Sequence, residues 1–302
     1  MKTRFITGLI MGLVGLPLLL INELFVVFEL LLITFVAVGV FELFRMFGTR
    51  KKQSKWHFIA SIIFAVLIYL SMIDLWGKGE NTIANYLGIG FGAFPIIIIL
   101  YTVVVMVGSV FDKNIDSIDT SNSFLTINYL AFGIASIMLL RLEGIKHIIY
   151  LLLVVMCTDV FAYLFGVKFG KHKMAPTISP KKSWEGAIAG TAFACLFGTL
   201  YGGLYGKLFN DPLNPTILDN LIDLGNTSYG LKILMLVGIS LFGSICAQVG
   251  DLVASKLKRH YGIKDYSRML PGHGGVLDRF DSTIFTAMIL VALFSMIKFL
   301  MI

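Results

Sequence analysis

The 302-residue sequence is short of charge. Lys, Arg, Asp and Glu make up 14% of it, against about 25% of an average soluble domain. So few charges cannot cover a globular surface, and with 57% apolar residues an ordinary soluble enzyme is excluded. Cysteine is scarce as well. Cys157, Cys195 and Cys246 all lie in apolar runs with no CxxC spacing, which argues against a zinc site or a disulfide framework. Internal repeats and low-complexity tracts are missing, and so is any soluble domain.

Long apolar runs fill the chain instead, at about 5–21, 24–44, 57–73, 86–110, 124–140, 147–167, 186–206, 231–250 and 282–302. A bilayer span needs about 20 apolar residues, so the pattern predicts an all-α, polytopic integral membrane protein of about nine transmembrane helices. Residues 1–302 form a single membrane domain on this reading, with generic spans over 1–145 and the chemistry-bearing loops in 146–302. The first pair of runs is the ambiguous one. Only Asn22 and Glu23 separate them, and the first contains Gly8, Gly12, Gly15 and Pro17, so it reads as a tight helical hairpin or as one span beside a partly inserted segment. Lys2 and Arg4 ahead of an apolar run resemble a signal peptide, but no small-x-small cleavage site leads into a polar domain, and a retained first span is expected.

Loop charge tests the count. With nine spans and a cytoplasmic N-terminus, 19 of the 25 Lys and Arg fall on one side, as the positive-inside rule describes. Segment 111–123 dissents mildly, carrying Asp112, Asp116 and Asp119 against one Lys. The formal charge of +7 is compatible with topology, anionic lipid, a phosphorylated ligand or nucleic acid.

Ten charged residues concentrate between Asp251 and Asp281. Asp278 and Asp281, three apart at the expected start of a helix, lie on one face and would together hold a hard divalent cation. Asp251 would join them if the flanking spans pack side by side. Mg²⁺ favours a few carboxylates completed by water and substrate phosphates. The plainer reading is that the two acids complement the helix dipole. The bases Lys256, Lys258, Arg259, Lys264, Arg268 and Arg279 could equally be a positive-inside loop. In Pro271-Gly272-His273-Gly274-Gly275, glycines permit positive φ and close approach to a ligand, and successive N–H groups could form an anion nest; a plain tight turn is the alternative. Taken together, acids, bases and glycine turn favour phosphate chemistry with Mg²⁺.

A second cluster, Ser179-Pro180-Lys181-Lys182-Ser183-Trp184-Glu185-Gly186, precedes the seventh run. Ser183 suits an N-cap and Trp184 the interface, while Lys181 and Lys182 could bind a phosphate at a helix entrance. Asp159, within the sixth run, would cost about 2.5–3.5 kcal/mol facing lipid and should face the protein interior or a wet cavity. Glu29 poses the same question, answerable by a cation partner or by protonation.

From Ser255 to Asp281 the residues Ser255, Leu257-Lys258-Arg259, Lys264-Asp265, Ser267, Leu270-Pro271, His273-Gly274-Gly275-Val276 and Asp278-Arg279-Phe280-Asp281 resemble the full signature of the CDP-diacylglycerol synthase (phosphatidate cytidylyltransferase) family. Asp159 with Phe161-Ala162-Tyr163, and the 179–186 segment, resemble further family segments. The first 140 residues match only as a multi-span region.

The resemblance implies transfer of a cytidylyl group from CTP to phosphatidate, a requirement for Mg²⁺, and a polar cavity open to cytoplasm and lipid. It implies Asp251, Asp278 and Asp281 as metal ligands and, with Lys258, as catalytic residues, a second cation such as K⁺ remaining open. Ser255, Arg259, Lys264, His273, Gly274, Gly275, Arg279, Lys181, Lys182 and Asp159 would bind substrate or shape the site, with His273 not a general base. The expected partners are CTP, phosphatidate and membrane lipids, with no nucleic acid and a homodimer left open. A CDP-alcohol phosphotransferase is the competing enzyme, but its Asp-x2-Asp-Gly-x2-Ala-Arg pattern is absent. A lipid or ion transporter using Glu29 and Asp159 is the non-enzyme alternative, which internal repeats would have supported.

Overall fold

The computed structural model describes residues 2–211, 213–219 and 227–301. Among these residues eight helices are long and apolar enough to cross a membrane. The remaining expected span, 5–21, is α1 (Lys2–Leu20), which contains Pro17; its apolar part, Thr7–Leu20, is shorter than the other eight. A 3₁₀ turn at Asn22–Leu24 separates α1 from α2. The all-α membrane architecture holds, with eight full-length helices where about nine were expected. The chain divides into two compact units, Met1–Leu142 with Leu257–Phe280, and Glu143–Lys256 with Asp281–Ile302.

In the first unit, α2 (Phe25–Phe47) buries Phe28, Leu32, Val36, Val40, Leu43 and Phe47. Their spacing of three to four residues makes one apolar stripe. α3 (Lys55–Met72) packs on it through Phe44 and Phe58, whose rings are 5.4 Å apart. The run expected to begin at 86 is broken. A four-residue helix α4 (Ile83–Tyr86) and a 3₁₀ turn come first, and α5 (Phe94–Phe111) starts with Pro95 in its first turn, where its missing N–H costs nothing. Among the described residues Glu29 has no cation partner; it is buried and accepts the Ile83 N–H at 2.9 Å. At the end of α6 (Ser117–Glu143), buried Arg141 donates to Asn22 Oδ1 at 2.9 Å.

The acidic 111–123 segment also resolves locally. Lys51 bridges Asp116 and Asp119 at 2.9 and 2.6 Å, while Asp112 accepts from Ser54 Oγ and Trp56 Nε1.

In the second unit, α7 (Ile145–Phe169) and α8 (Trp184–Gly203) pack tightly. A Cβ at Gly186 or Gly190 would overlap the carbonyl of Ala162 or Thr158, and Phe161 stacks on Phe193 at 4.0 Å. Small residues let membrane helices approach in this way. Between the two helices β1 (Lys173–Ala175) and β2 (Ser179–Ser183) form an antiparallel hairpin. It delivers the chain to Ser183, which caps α8 as expected by accepting the Gly186 N–H at 3.3 Å. The short helix α9 (Tyr205–Phe209) follows.

The last two helices are α10 (Tyr229–His260) and α11 (Leu277–Met301). α10 runs ten residues past the apolar run that ended at 250, so Asp251 to His260 are helical, not loop. α11 begins five residues before 282, and Asp278 and Asp281 fall in its opening turns as expected. Within the second unit, Phe285 of α11 fills the space beside Gly250 of α10.

Candidate active site

The sequence-derived residues fall into two groups, one in each unit. In the first unit lie Lys258, Arg259, Lys264, His273, Gly274, Gly275, Asp278 and Arg279. Lys258 Nζ donates to Asp278 Oδ1 at 2.7 Å, with both side chains at most 10% exposed, and sits 5.0 Å from the centre of the Tyr266 ring. Asp278 Oδ2 accepts two backbone N–H groups, Tyr266 at 2.9 Å and Gly275 at 2.8 Å. A buried carboxylate with a cation and two amides is well compensated.

The glycine run makes a closed turn, the plainer of the two readings. Gly272 and Gly274 take positive φ of 77° and 85°, as only glycine does readily. The N–H groups of His273 and Gly274 both point to Leu270 O, and the Gly275 N–H goes to Asp278, so these amides serve the turn and do not form an open nest. Anion recognition is left to side chains. Beside the turn lies a cavity of about 740 Å³ lined by Lys264, Asp265, Arg268, His273 and Arg279, among others. Three cations there meet one acid, a surface suited to phosphate. Arg259 turns its guanidinium to Ile263 O at 3.1 Å. His273 packs its ring edge against Gly8 of α1 and Nδ1 is buried with no hydrogen-bond partner, which gives no support for a general base.

In the second unit lie Asp159, Lys181, Lys182, Asp251, Ser255 and Asp281. Lys182 Nζ meets Asp251 Oδ2 at 2.6 Å, and Ser255, one turn on, donates to Asp251 Oδ1 at 3.3 Å. Asp159 lies within electrostatic reach of both Asp251 and Lys182. Its side chain is exposed, so these two charged neighbours, and not burial in the protein interior, are what accompany the acid. Beneath this cluster a polar ladder joins α7, α8 and α10. Thr158 donates to Ser244 at 2.7 Å, Ser244 to Thr191 at 3.2 Å, and Gln248 Nε2 to Thr191 at 2.9 Å. Asp281 is 7% exposed and accepts the Ser282 N–H at 2.8 Å. Since Gly250 packs on Phe285, Asp251 is one residue and Asp281 about one helical turn from that crossing. Lys181 is exposed.

Among the described residues no three His, Cys, Asp or Glu side chains gather closely enough to hold a metal ion unaided. The donors present are hard carboxylates next to cations, a chemistry that fits a divalent ion completed by water and phosphate oxygens. It does not fit an all-protein cage.

A family model described as the cytidylyltransferase family matches residues 2–297. The chain belongs to the cytidylyltransferase family. Membership makes it a nucleotidyltransferase, and leaves the transport reading without support. Among its relatives, a phosphatidate cytidylyltransferase of Staphylococcus epidermidis is 33% identical over 286 residues, covering 94% of this chain and 95% of the relative. One of Staphylococcus saprophyticus is 34% identical over 287 residues, with the same coverage. One of Staphylococcus aureus is 36% identical over 189 residues, 62% of this chain and 64% of the relative.

Other residues, most of them not singled out by the sequence, also shape the two groups. Tyr266 underlies Lys258, Gln248 accepts Lys182 through its carbonyl at 3.5 Å, and Glu42 and Ser267 bond each other at 2.5 Å. Ser267 falls within the quoted signature, but Glu42 lies 225 positions away and carries no local signal.

Proposed function

We propose that this membrane cytidylyltransferase acts on phosphatidate and CTP, forming CDP-diacylglycerol and pyrophosphate on the cytoplasmic side. The observation that carries this is the likeness to phosphatidate cytidylyltransferases over 94% of the chain. The cation-rich cavity beside the buried Lys258–Asp278 pair supports it chemically. A phosphate oxygen of phosphatidate attacks the α-phosphorus of CTP, the bond from that phosphorus to the bridging oxygen breaks, and pyrophosphate leaves with the electron pair. The attacking oxygen is already anionic, so no base must remove a proton. The obstacle is repulsion between two polyanions, which fixed cations lower. Lys264, Arg268 and Arg279 would hold phosphate groups at the cavity; Lys182 would exchange Asp251 for a phosphate oxygen, with Lys181 beside it. Lys258 would keep Asp278 and the turn in register. Asp251 and Asp281, both in the second unit, would hold Mg²⁺, with K⁺ as a candidate second cation, whereas Asp278, expected from the sequence as a third ligand, has its oxygens taken by Lys258 and two amides and would order the loop. Bound there, Mg²⁺ would neutralise charge developing on the transferring phosphate.

The test is purified protein in detergent with labelled CTP, phosphatidate and Mg²⁺, following label into lipid and release of pyrophosphate. Mg²⁺-dependent labelled lipid is the expected result. Its absence, under conditions where a relative is active, would overturn the proposal.

A further inference from the structure

Glu42 lies in α2, inside an apolar run, and is fully buried. A carboxylate there is costly unless donors surround it. All the donors it is given come from the loop that carries the chemistry. Ser267 Oγ at 2.5 Å and Val276 N–H at 2.9 Å donate to Oε1, and Leu277 N–H at 2.8 Å donates to Oε2.

Val276 and Leu277 are where α11 begins. The first N–H groups of a helix have no partner within it, and the usual remedy is a Ser, Thr, Asp or Asn just before it. Val276 has no acceptor to offer. Glu42 supplies one from 234 positions away.

Gly275 confirms how closely the carboxylate approaches. Its φ is not in the left-handed region, unlike those of Gly272 and Gly274, so the backbone does not demand glycine there. A Cβ at this position would instead overlap the Glu42 carboxylate. Ser267, meanwhile, receives the Met269 N–H at 3.2 Å while donating to Glu42, and so passes the hold on into the loop.

We propose that Glu42 is a positioning residue for the reaction: from within α2 it fixes where α11 starts, and thereby the direction in which Asp278 and Arg279 project beside the cavity. The inference rests on the cytidylyl-transfer reading for the reaction being positioned. The anchoring itself does not depend on that reading.

Glu42→Gln keeps the size of the side chain but sets an NH₂ group against the N–H donors. Ser267→Ala removes the hydroxyl donor alone. Each variant and the double variant would be compared with wild type by amide hydrogen exchange without substrates and by steady-state kinetics with CTP and phosphatidate. In Glu42→Gln, exchange at Val276 and Leu277 is expected to rise about tenfold or more while α3 amides are unchanged. Turnover should fall about 10- to 100-fold, as for residues that orient others, with KM for CTP shifting less than about threefold. The double variant should be no worse than Glu42→Gln, because both act through one carboxylate.

Unchanged exchange at 276–277, or a rise spread evenly over the first unit, would overturn the proposal. If Glu42→Gln cannot be purified, Ser267→Ala decides. Faster exchange confined to 266–277 with lower turnover supports the anchor, and normal values of both refute it. An inactive wild type would refute the cytidylyl-transfer reading, while the exchange comparison still tests the anchor.

Discussion

Lys258 Nζ stands 2.7 Å from Asp278 Oδ1, a buried ion pair that ties the last turn of α10 to the first turn of α11. The residues between them include the glycine turn, so the pair fixes both ends of the segment that borders the cavity. Two backbone N–H groups on the other carboxylate oxygen meet the condition under which a buried pair is worth its desolvation.

Lys258→Met should therefore destabilise the protein strongly. Removing one partner of a buried pair costs about 3–5 kcal/mol, and a marked fall in the thermal midpoint in detergent is expected. Adding Asp278→Asn to it should recover part of the midpoint but none of the activity.

Asp281→Asn and Asp251→Asn should behave differently from Asp278→Asn. Each is expected to lower Mg²⁺-dependent turnover at least about 100-fold while the thermal midpoint changes little. Asp278→Asn should lower both. Titrating Mg²⁺ in the activity assay checks this, and near-normal turnover in both Asp281→Asn and Asp251→Asn would remove the proposed metal site.

Membrane architecture was legible in the sequence because the apolar runs are long and the polar gaps sharp. The helix ends were less so. Hydropathy registers where lipid stops, not where the helix stops, and Leu252, Ala254, Lys256, Leu257 and Lys258 are good helix formers that carry α10 on past Gly250. The same limit hid the β1–β2 hairpin among polar residues. Lys258, Asp278 and the glycine turn were legible because they lie within one short signature. Glu42 was not, since a lone acid near the end of an apolar run looks like a span boundary and its partners lie more than two hundred residues later.

Lys182→Ala separates binding from structure. The Lys182–Asp251 pair is partly exposed, at 25% and 33%, and such pairs contribute at most about 1 kcal/mol. The midpoint should barely move, while KM for CTP or phosphatidate should rise about tenfold, equivalent to about 1.4 kcal/mol of binding. Unchanged kinetics with a lower midpoint would assign Lys182 to the helix entrance alone.

The α7–α8 seam gives a pure packing test. Gly190→Val would drive a side chain into the Thr158 carbonyl and should cost about 1–3 kcal/mol. Gly238→Ala, on α10 with nothing within 4 Å, should be neutral or stabilise by up to about 1 kcal/mol. Thermal midpoints of the two variants check the contrast.

Acid should weaken the loop after α5. The hydroxyl of Ser54, followed by the Asn114 N–H, holds the Asp112 carboxyl down at about 2. A depressed carboxylate adds stability above its unfolded pKa, and that stability is lost as pH falls from about 4 towards 2. Asp112→Asn should flatten this part of the midpoint-against-pH curve, measured between about pH 5 and pH 2.5.

α10 has 32 residues, a rod of about 48 Å against a hydrocarbon core of about 30 Å. Asp251 and Ser255 ride on it as an unbroken extension of a membrane span, so their facing is set by helical phase from Tyr229 onward. Each added or deleted residue between Tyr229 and Gly250 would swing them by about 100° and carry Asp251 off Lys182. A change of residue number in this stretch would therefore disturb the Asp251–Lys182 pair even where every residue type in contact was kept.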